Sequence, residues 1–194
     1  MSRLSICIYC GSRAGVDPAY AAAAREVGTL LGRMGAQLVY GGGHAGLMGI
    51  LADAALAAGA PVVGVIPQTL MSRELSHAGI TELHVVETMH ERKRLMAERS
   101  DAFVALPGGI GTLEEMFEAW TWRQLGYHDK PLGLLNTGGY FDRLLAFLGE
   151  TEKQGFVLPA QSRLLQVDAE AAPLLQRLAA LAAQATEPDD YRQI

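Results

Sequence analysis

The sequence predicts a single-domain α/β fold: a doubly wound, Rossmann-like parallel sheet with helices on both faces. Short β-branched apolar runs alternate with segments of helical apolar spacing, and three of those runs end in glycine-rich turns. The 194 residues are 49% apolar and 19% charged, which suits one globular domain and excludes a disordered, collagen-like or disulfide-scaffold chain.

In chain order, the strand-like runs are 4–9, 37–40, 61–66, 83–86, 102–106 and 131–135. Between and after them, 18–33, 46–58, 89–100, 112–125 and 140–153 carry apolar residues at helical intervals, often with Gly, Pro, Ser or Thr at their ends. A last helix is expected over 173–184, so that 1–184 forms one α/β domain. The polar end, 185–194, has little to bury and is expected to fray.

A net charge of −5 gives no overall field for nucleic acid or an anionic membrane, so neither is an expected partner. Long uncharged stretches at 34–52 and 54–72 are broken by glycines or by Pro61 and Pro67, and read as strand, loop and helix rather than membrane spans. The run that follows Arg3 lacks the pattern of a secretory signal, so a cytoplasmic location is expected. Cys7 and Cys10 form a C-x-x-C, but three residues apart on a strand they face opposite ways, which speaks against a redox pair.

In a doubly wound sheet, ligands collect at the carboxyl ends of the strands. Cys10-Gly11-Ser12, the loop Gly41 to Gly46 and Pro107-Gly108-Gly109-Ile110-Gly111-Thr112 all fall there. Glycine permits close backbone approach, and a helix starting just afterwards offers free N–H groups to an anion. Together the three loops point to a phosphate-bearing ligand. Gly41, Gly43 and Gly46 fit G-x-G-x-x-G, yet the ribose-binding acid about 20 residues onward is missing, and no Walker motif occurs.

Arg92 supplies local positive charge. It shares a helix face with Met89 and Met96 and is expected to point inward, while its neighbour Lys93 reads equally as functional or as part of a solvated helix. Thr112 to Glu115 has the form of a capping box, which explains Glu115 without chemistry and leaves Glu114 as a first-turn acid. A carboxylate beside a phosphate loop is electrostatically awkward unless it faces a sugar that develops positive charge, so Glu115 is also the sharper catalytic candidate. The five histidines show no ligand spacing, so no metal is expected. Trp120, Trp122 and Tyr127 suggest core or subunit packing. The lysines are Lys93, Lys130 and Lys153, none in a recognisable Schiff-base context.

The run Pro107-Gly108-Gly109-Ile110-Gly111-Thr112-Leu113-Glu114-Glu115 resembles the P-G-G-x-G-T-x-x-E motif of the Lonely Guy (LOG) family of cytokinin riboside 5′-monophosphate phosphoribohydrolases. Met89 to Lys93, Gly41 to Gly49 and Cys10-Gly11-Ser12 resemble that family's other motifs, in the same order and spacing. The resemblance implies hydrolysis of the N-glycosidic bond of a nucleoside 5′-monophosphate without metal or organic cofactor. It implies Arg92 and Glu115 as the catalytic pair. Glu74, Lys93, the loop Gly109 to Glu115 with Leu113 and Glu114, and Thr121 match substrate-binding positions, beside Gly108 of that same loop and Gly11, Ser12, Gly43 and Gly46 from the other two. It also implies a homodimer or larger assembly. A non-catalytic nucleotide sensor or carrier on the same fold is the alternative reading, and a dinucleotide oxidoreductase the third.

Overall fold

The structure, a computed structural model, describes residues 3–71, 75–185 and 189–191. Seven strands, β1 (Ser5–Tyr9), β2 (Gln37–Tyr40), β3 (Val62–Pro67), β4 (Glu82–Val86), β5 (Ala102–Ala105), β6 (Leu132–Leu135) and β7 (Leu165–Asp168), form one sheet in the order β4-β3-β2-β1-β5-β6-β7. Every strand pair is parallel. The chain winds outward from β1 to β4, then restarts on the other side of β1 with β5, so the switch in strand order lies between β1 and β5.

The period-2 alternation of the strands divides the core into two layers. Ile6, Ile8, Leu38, Tyr40 and Val104 pack beneath α1 (Pro18–Arg33), α2 (Gly46–Ala57) and, late in the chain, the helix Ala171–Ala182. Cys7, Tyr9, Val39, Phe103 and Leu134 face the other layer, built on α3 (Met89–Glu98), α4 (Ile110–Gln124) and α5 (Asp142–Lys153). Cys7 and Cys10 thus fall in opposite layers as free, buried thiols, in keeping with their spacing.

A short helix α6 (Pro159–Ser162) and β7 were not expected from the sequence, and the last helix, α7, spans Ala171–Ala182. β7 is short and includes Gln166 and Asp168, and it becomes a strand by pairing with the fully buried β6. Among the described residues no helix is long and apolar enough to cross a membrane.

The expectation of a frayed end over 185–194 does not describe 189–191. Tyr191 is buried against Trp122 and His128, Asp189 pairs with Lys130 at 2.6 Å, and the Asp190 N–H donates to the Tyr127 carbonyl at 3.0 Å. One aromatic anchor outweighs the polarity of its neighbours.

Beneath this segment, the His128 ring uses both nitrogens: Nδ1 accepts the Lys130 N–H and Nε2 donates to the Ala119 carbonyl, each at 3.1 Å. That pattern needs the neutral imidazole. Burial pushes the pKa down from 6.5 to about 4. The unfolded chain therefore binds the extra proton between those values, so this contribution to stability is complete above pH 6.5 and lost as pH falls towards 4, by about 3 kcal/mol. Urea unfolding at pH 7 and pH 4.5 should show a steeper acid loss for the wild type than for His128→Asn.

Candidate functional site

The loops that leave β1 and β5 meet at the switch point and are tied together by their backbones. The Gly11 N–H donates to the Pro107 carbonyl at 3.2 Å, and the Gly11 carbonyl accepts from Leu47 N–H, at the start of α2, at 3.0 Å. These loops, with the starts of α1, α2, α3 and α4, enclose a cleft of about 580 Å³. That is room for a nucleotide-sized ligand.

α4 begins earlier than its sequence suggests. Its N-cap is Gly109, no side chain caps it, and Thr112 lies buried within the first turn. The expected Thr112–Glu115 capping box is therefore absent, because the tied loop starts the helix at Ile110. A Cβ added at Gly109 or Gly111 would meet nothing within 4 Å. The uncapped N–H groups of this turn thus border open space in the cleft, the arrangement that favours an anion. Glu115, freed from the capping role, is half-buried in the second turn and lines the cleft.

α3 is the helix with the capping box. Glu91 N–H donates to Thr88 Oγ1 at 3.1 Å, and Glu91 Oε2 accepts the Thr88 N–H at 3.2 Å. With Glu91 so occupied, Arg92 turns inward and is 4% exposed. Its Nε donates to the Val65 carbonyl at 3.1 Å and an Nη to the Gly41 carbonyl at 3.0 Å. A Cβ on Gly41 would lie 2.1 Å from that guanidinium, so Gly41 is small in order to admit Arg92. Arg92 and Glu115 line the same cleft. Both charges are felt at Cys7, in the middle of β1: burial pushes its thiol up, the Glu115 charge adds to the rise and Arg92 opposes it.

A family model described as "Possible lysine decarboxylase" matches residues 48–178. Cytokinin riboside 5′-monophosphate phosphoribohydrolase LOG1 of Arabidopsis thaliana is 48% identical over 173 residues, covering 89% of this chain and 81% of that protein. A probable enzyme of the same description, LOGL1 of Oryza sativa subsp. japonica, is 52% identical over 152 residues, covering 78% of this chain and 68% of that protein. The chain belongs to the LOG family. Among solved structures, a molybdenum cofactor carrier protein from Chlamydomonas reinhardtii superposes with a TM-score of 0.71 at 22% identity, over 94% of this chain and 99% of that one, a likeness of fold.

Of the positions that the LOG resemblance marks, Gly11, Ser12, Arg92, Gly108, Gly109, Ile110, Gly111, Thr112, Glu114 and Glu115 line the cleft. Lys93 does not. It is 7% exposed and pairs with Glu114 at 2.5 Å and Glu118 at 2.9 Å, joining α3 to α4. Burial alone would lower its pKa, but the two carboxylates outweigh burial and raise it. Thr121 lies well along α4, where its hydroxyl donates to the Phe117 carbonyl at 2.7 Å. Leu113 packs against the core, Gly43 bridges to Ser76, and Gly46, at φ 60°, lies against the Ser12–Arg13 backbone; none of these or Thr121 lines the cleft. Glu74 lies outside the described residues.

Sequence reasoning missed Arg13, Tyr20 and Tyr140, which line the cleft. Arg13 was legible as a basic residue directly after a glycine turn; the tyrosines come from distant elements and carried no local signal.

His44, Asp53 and His77 form the one described group with metal-ligand chemistry. Gly79 N–H donates to His77 Nδ1 at 3.1 Å, so Nε2 carries the proton and donates to Asp53 Oδ1 at 2.9 Å; His44 Nε2 meets Asp53 Oδ2 at 3.0 Å. A metal at Nε2 would have to displace that proton and the hydrogen bond to Asp53, while Nδ1 is taken by Gly79. The group instead pins the turn around His77 to α2.

Proposed function

We propose that this chain hydrolyses the N-glycosidic bond of a nucleoside 5′-monophosphate, a cytokinin riboside 5′-monophosphate or AMP, releasing free base and ribose 5-phosphate. The observation that carries the reading is the meeting of Arg92 and Glu115 with the uncapped start of α4 in one cleft. The names of the plant LOG relatives point to the same reaction.

The N-terminal turn of α4 and the Gly11 loop hold the 5′-phosphate through backbone N–H groups, which anchors the sugar. As the bond between C1′ and the base nitrogen lengthens, the ribose takes on oxocarbenium character. The Glu115 carboxylate stabilises that charge and orients a water whose oxygen bonds to C1′. The base leaves with the bonding electron pair and gains a proton, and the water loses one. Arg92, held rigid by two carbonyls, offsets the repulsion between Glu115 and the phosphate and binds the ribose or phosphate oxygens.

The protein works without metal or organic cofactor, in the cytoplasm, as a homodimer or larger homo-oligomer. Exposed Val85 and Met89, on β4 and at the start of α3, leave apolar surface that suits a subunit contact.

The test is chromatography of products after incubation with AMP, isopentenyladenosine monophosphate and the matching nucleosides. Free base and ribose 5-phosphate should appear in equal amounts from the monophosphates. Saturable nucleotide binding without base release would instead make the protein a carrier.

A further inference from the structure

Tyr140 stands outside every motif noted above, yet its hydroxyl donates to the Gly108 carbonyl at 2.6 Å across 32 residues of sequence. It leaves the turn Thr137–Gly139, whose Gly138 and Gly139 have φ of 60° and 73°. Asn136 stiffens that turn: its Oδ1 accepts the Phe141 N–H and its Nδ2 donates to Asp142 Oδ1, both at 2.7 Å. The Tyr140 ring meets Tyr20, in the first turn of α1, edge-on at 5.3 Å between centroids. A rigid turn on one side and an aromatic neighbour on the other thus set the hydroxyl's position.

Gly108 is equally confined. A Cβ there would lie 2.1 Å from Thr112 Oγ1 and 2.9 Å from the Gly11 nitrogen. Its carbonyl belongs to the peptide that enters the N-cap of α4, and a free carbonyl oxygen at an anion-binding turn repels the ligand. A planar trans peptide also points its C=O and N–H in opposite directions, so fixing the Gly108 oxygen fixes the Gly109 N–H.

We propose that Tyr140 is a positioning residue for phosphate: its hydroxyl occupies the Gly108 carbonyl and locks the peptide from which α4 starts, so that this end of the cleft presents donors to a phosphomonoester. The inference deepens the proposed hydrolysis and rests on it for the identity of the nucleotide, but the ligand chemistry that it names is the sugar phosphate alone.

Tyr140→Phe keeps the ring and removes the hydroxyl. Loss of one such hydrogen bond should raise the KM for AMP and the inhibition constant of ribose 5-phosphate by about 3- to 10-fold each. The kcat should stay within about 2-fold, and inhibition by adenosine, which lacks the phosphate, should not change. Calorimetric titration with ribose 5-phosphate should show the same loss without any turnover. Equal ribose 5-phosphate affinity in the two proteins, no ribose 5-phosphate binding to the wild type, or a parallel loss of adenosine binding would overturn the proposal. If the wild type releases no base from AMP while the calorimetric difference persists, the hydrolase reading fails and the role of Tyr140 stands.

Discussion

Glu115→Gln is expected to lower the kcat for base release from AMP by about 10²- to 10³-fold while leaving the urea midpoint nearly unchanged. The substitution preserves shape and removes the charge that opposes oxocarbenium character on the ribose. Had Glu115 only closed a capping box on α4, glutamine would have served there nearly as well, and kcat would have stayed close to the wild-type value. Because α4 starts at Ile110 after an N-cap, Gly109, that has no side-chain hydrogen bond, the two explanations separate cleanly. Turnover close to the wild-type rate would leave the carboxylate without a chemical role.

Arg92 should show the second large effect, with activity and stability affected together. Arg92→Met removes the donors to the Val65 and Gly41 carbonyls within the buried end of the sheet. Each carbonyl left without a partner costs about 1 to 3 kcal/mol, a large fraction of a typical domain's margin. Arg92→Lys is the more informative change. Its ammonium keeps the charge near the cleft but lacks the planar fork that reaches both carbonyls and still presents an edge to substrate. We expect the lysine variant to remain folded and to lose about 10²-fold in kcat/KM for AMP, read by product chromatography beside urea unfolding. Wild-type kcat/KM in that variant would reduce Arg92 to a source of charge.

The layout of the sheet was legible because six of its runs are apolar and bounded by turn residues, and for the five of these that are almost wholly buried, β1, β2, β3, β5 and β6, cover on both faces favours that composition. β7 escaped because an edge strand with Gln166 and Asp168 owes its conformation to its neighbour rather than to its own residues. Arg92 was readable as inward-facing from its position between Met89 and Met96. The role of Lys93 was not, since Glu114 and Glu118 lie on another helix and no local pattern joins them. The start of α4 was misplaced for a related reason. Gly109, Ile110 and Gly111 are poor helix formers, and contacts from Gly11, Thr112 and Tyr140 to the neighbouring Pro107 and Gly108 override that preference. The capping box at Thr88 and Glu91, by contrast, was written in the sequence and eclipsed by the similar pattern at Thr112.

The two thiols, Cys7 in β1 and Cys10 just beyond it, have a practical consequence. Cys7 is fully enclosed and Cys10 is buried at the floor of the cleft, and burial pushes both thiols up, which disfavours the thiolate that maleimide reagents need. A single cysteine introduced on the exposed face of α5, and a second near Arg13 at the mouth of the cleft, would become the reactive handles without any background deletion. A fluorophore pair attached there could follow nucleotide entry in real time.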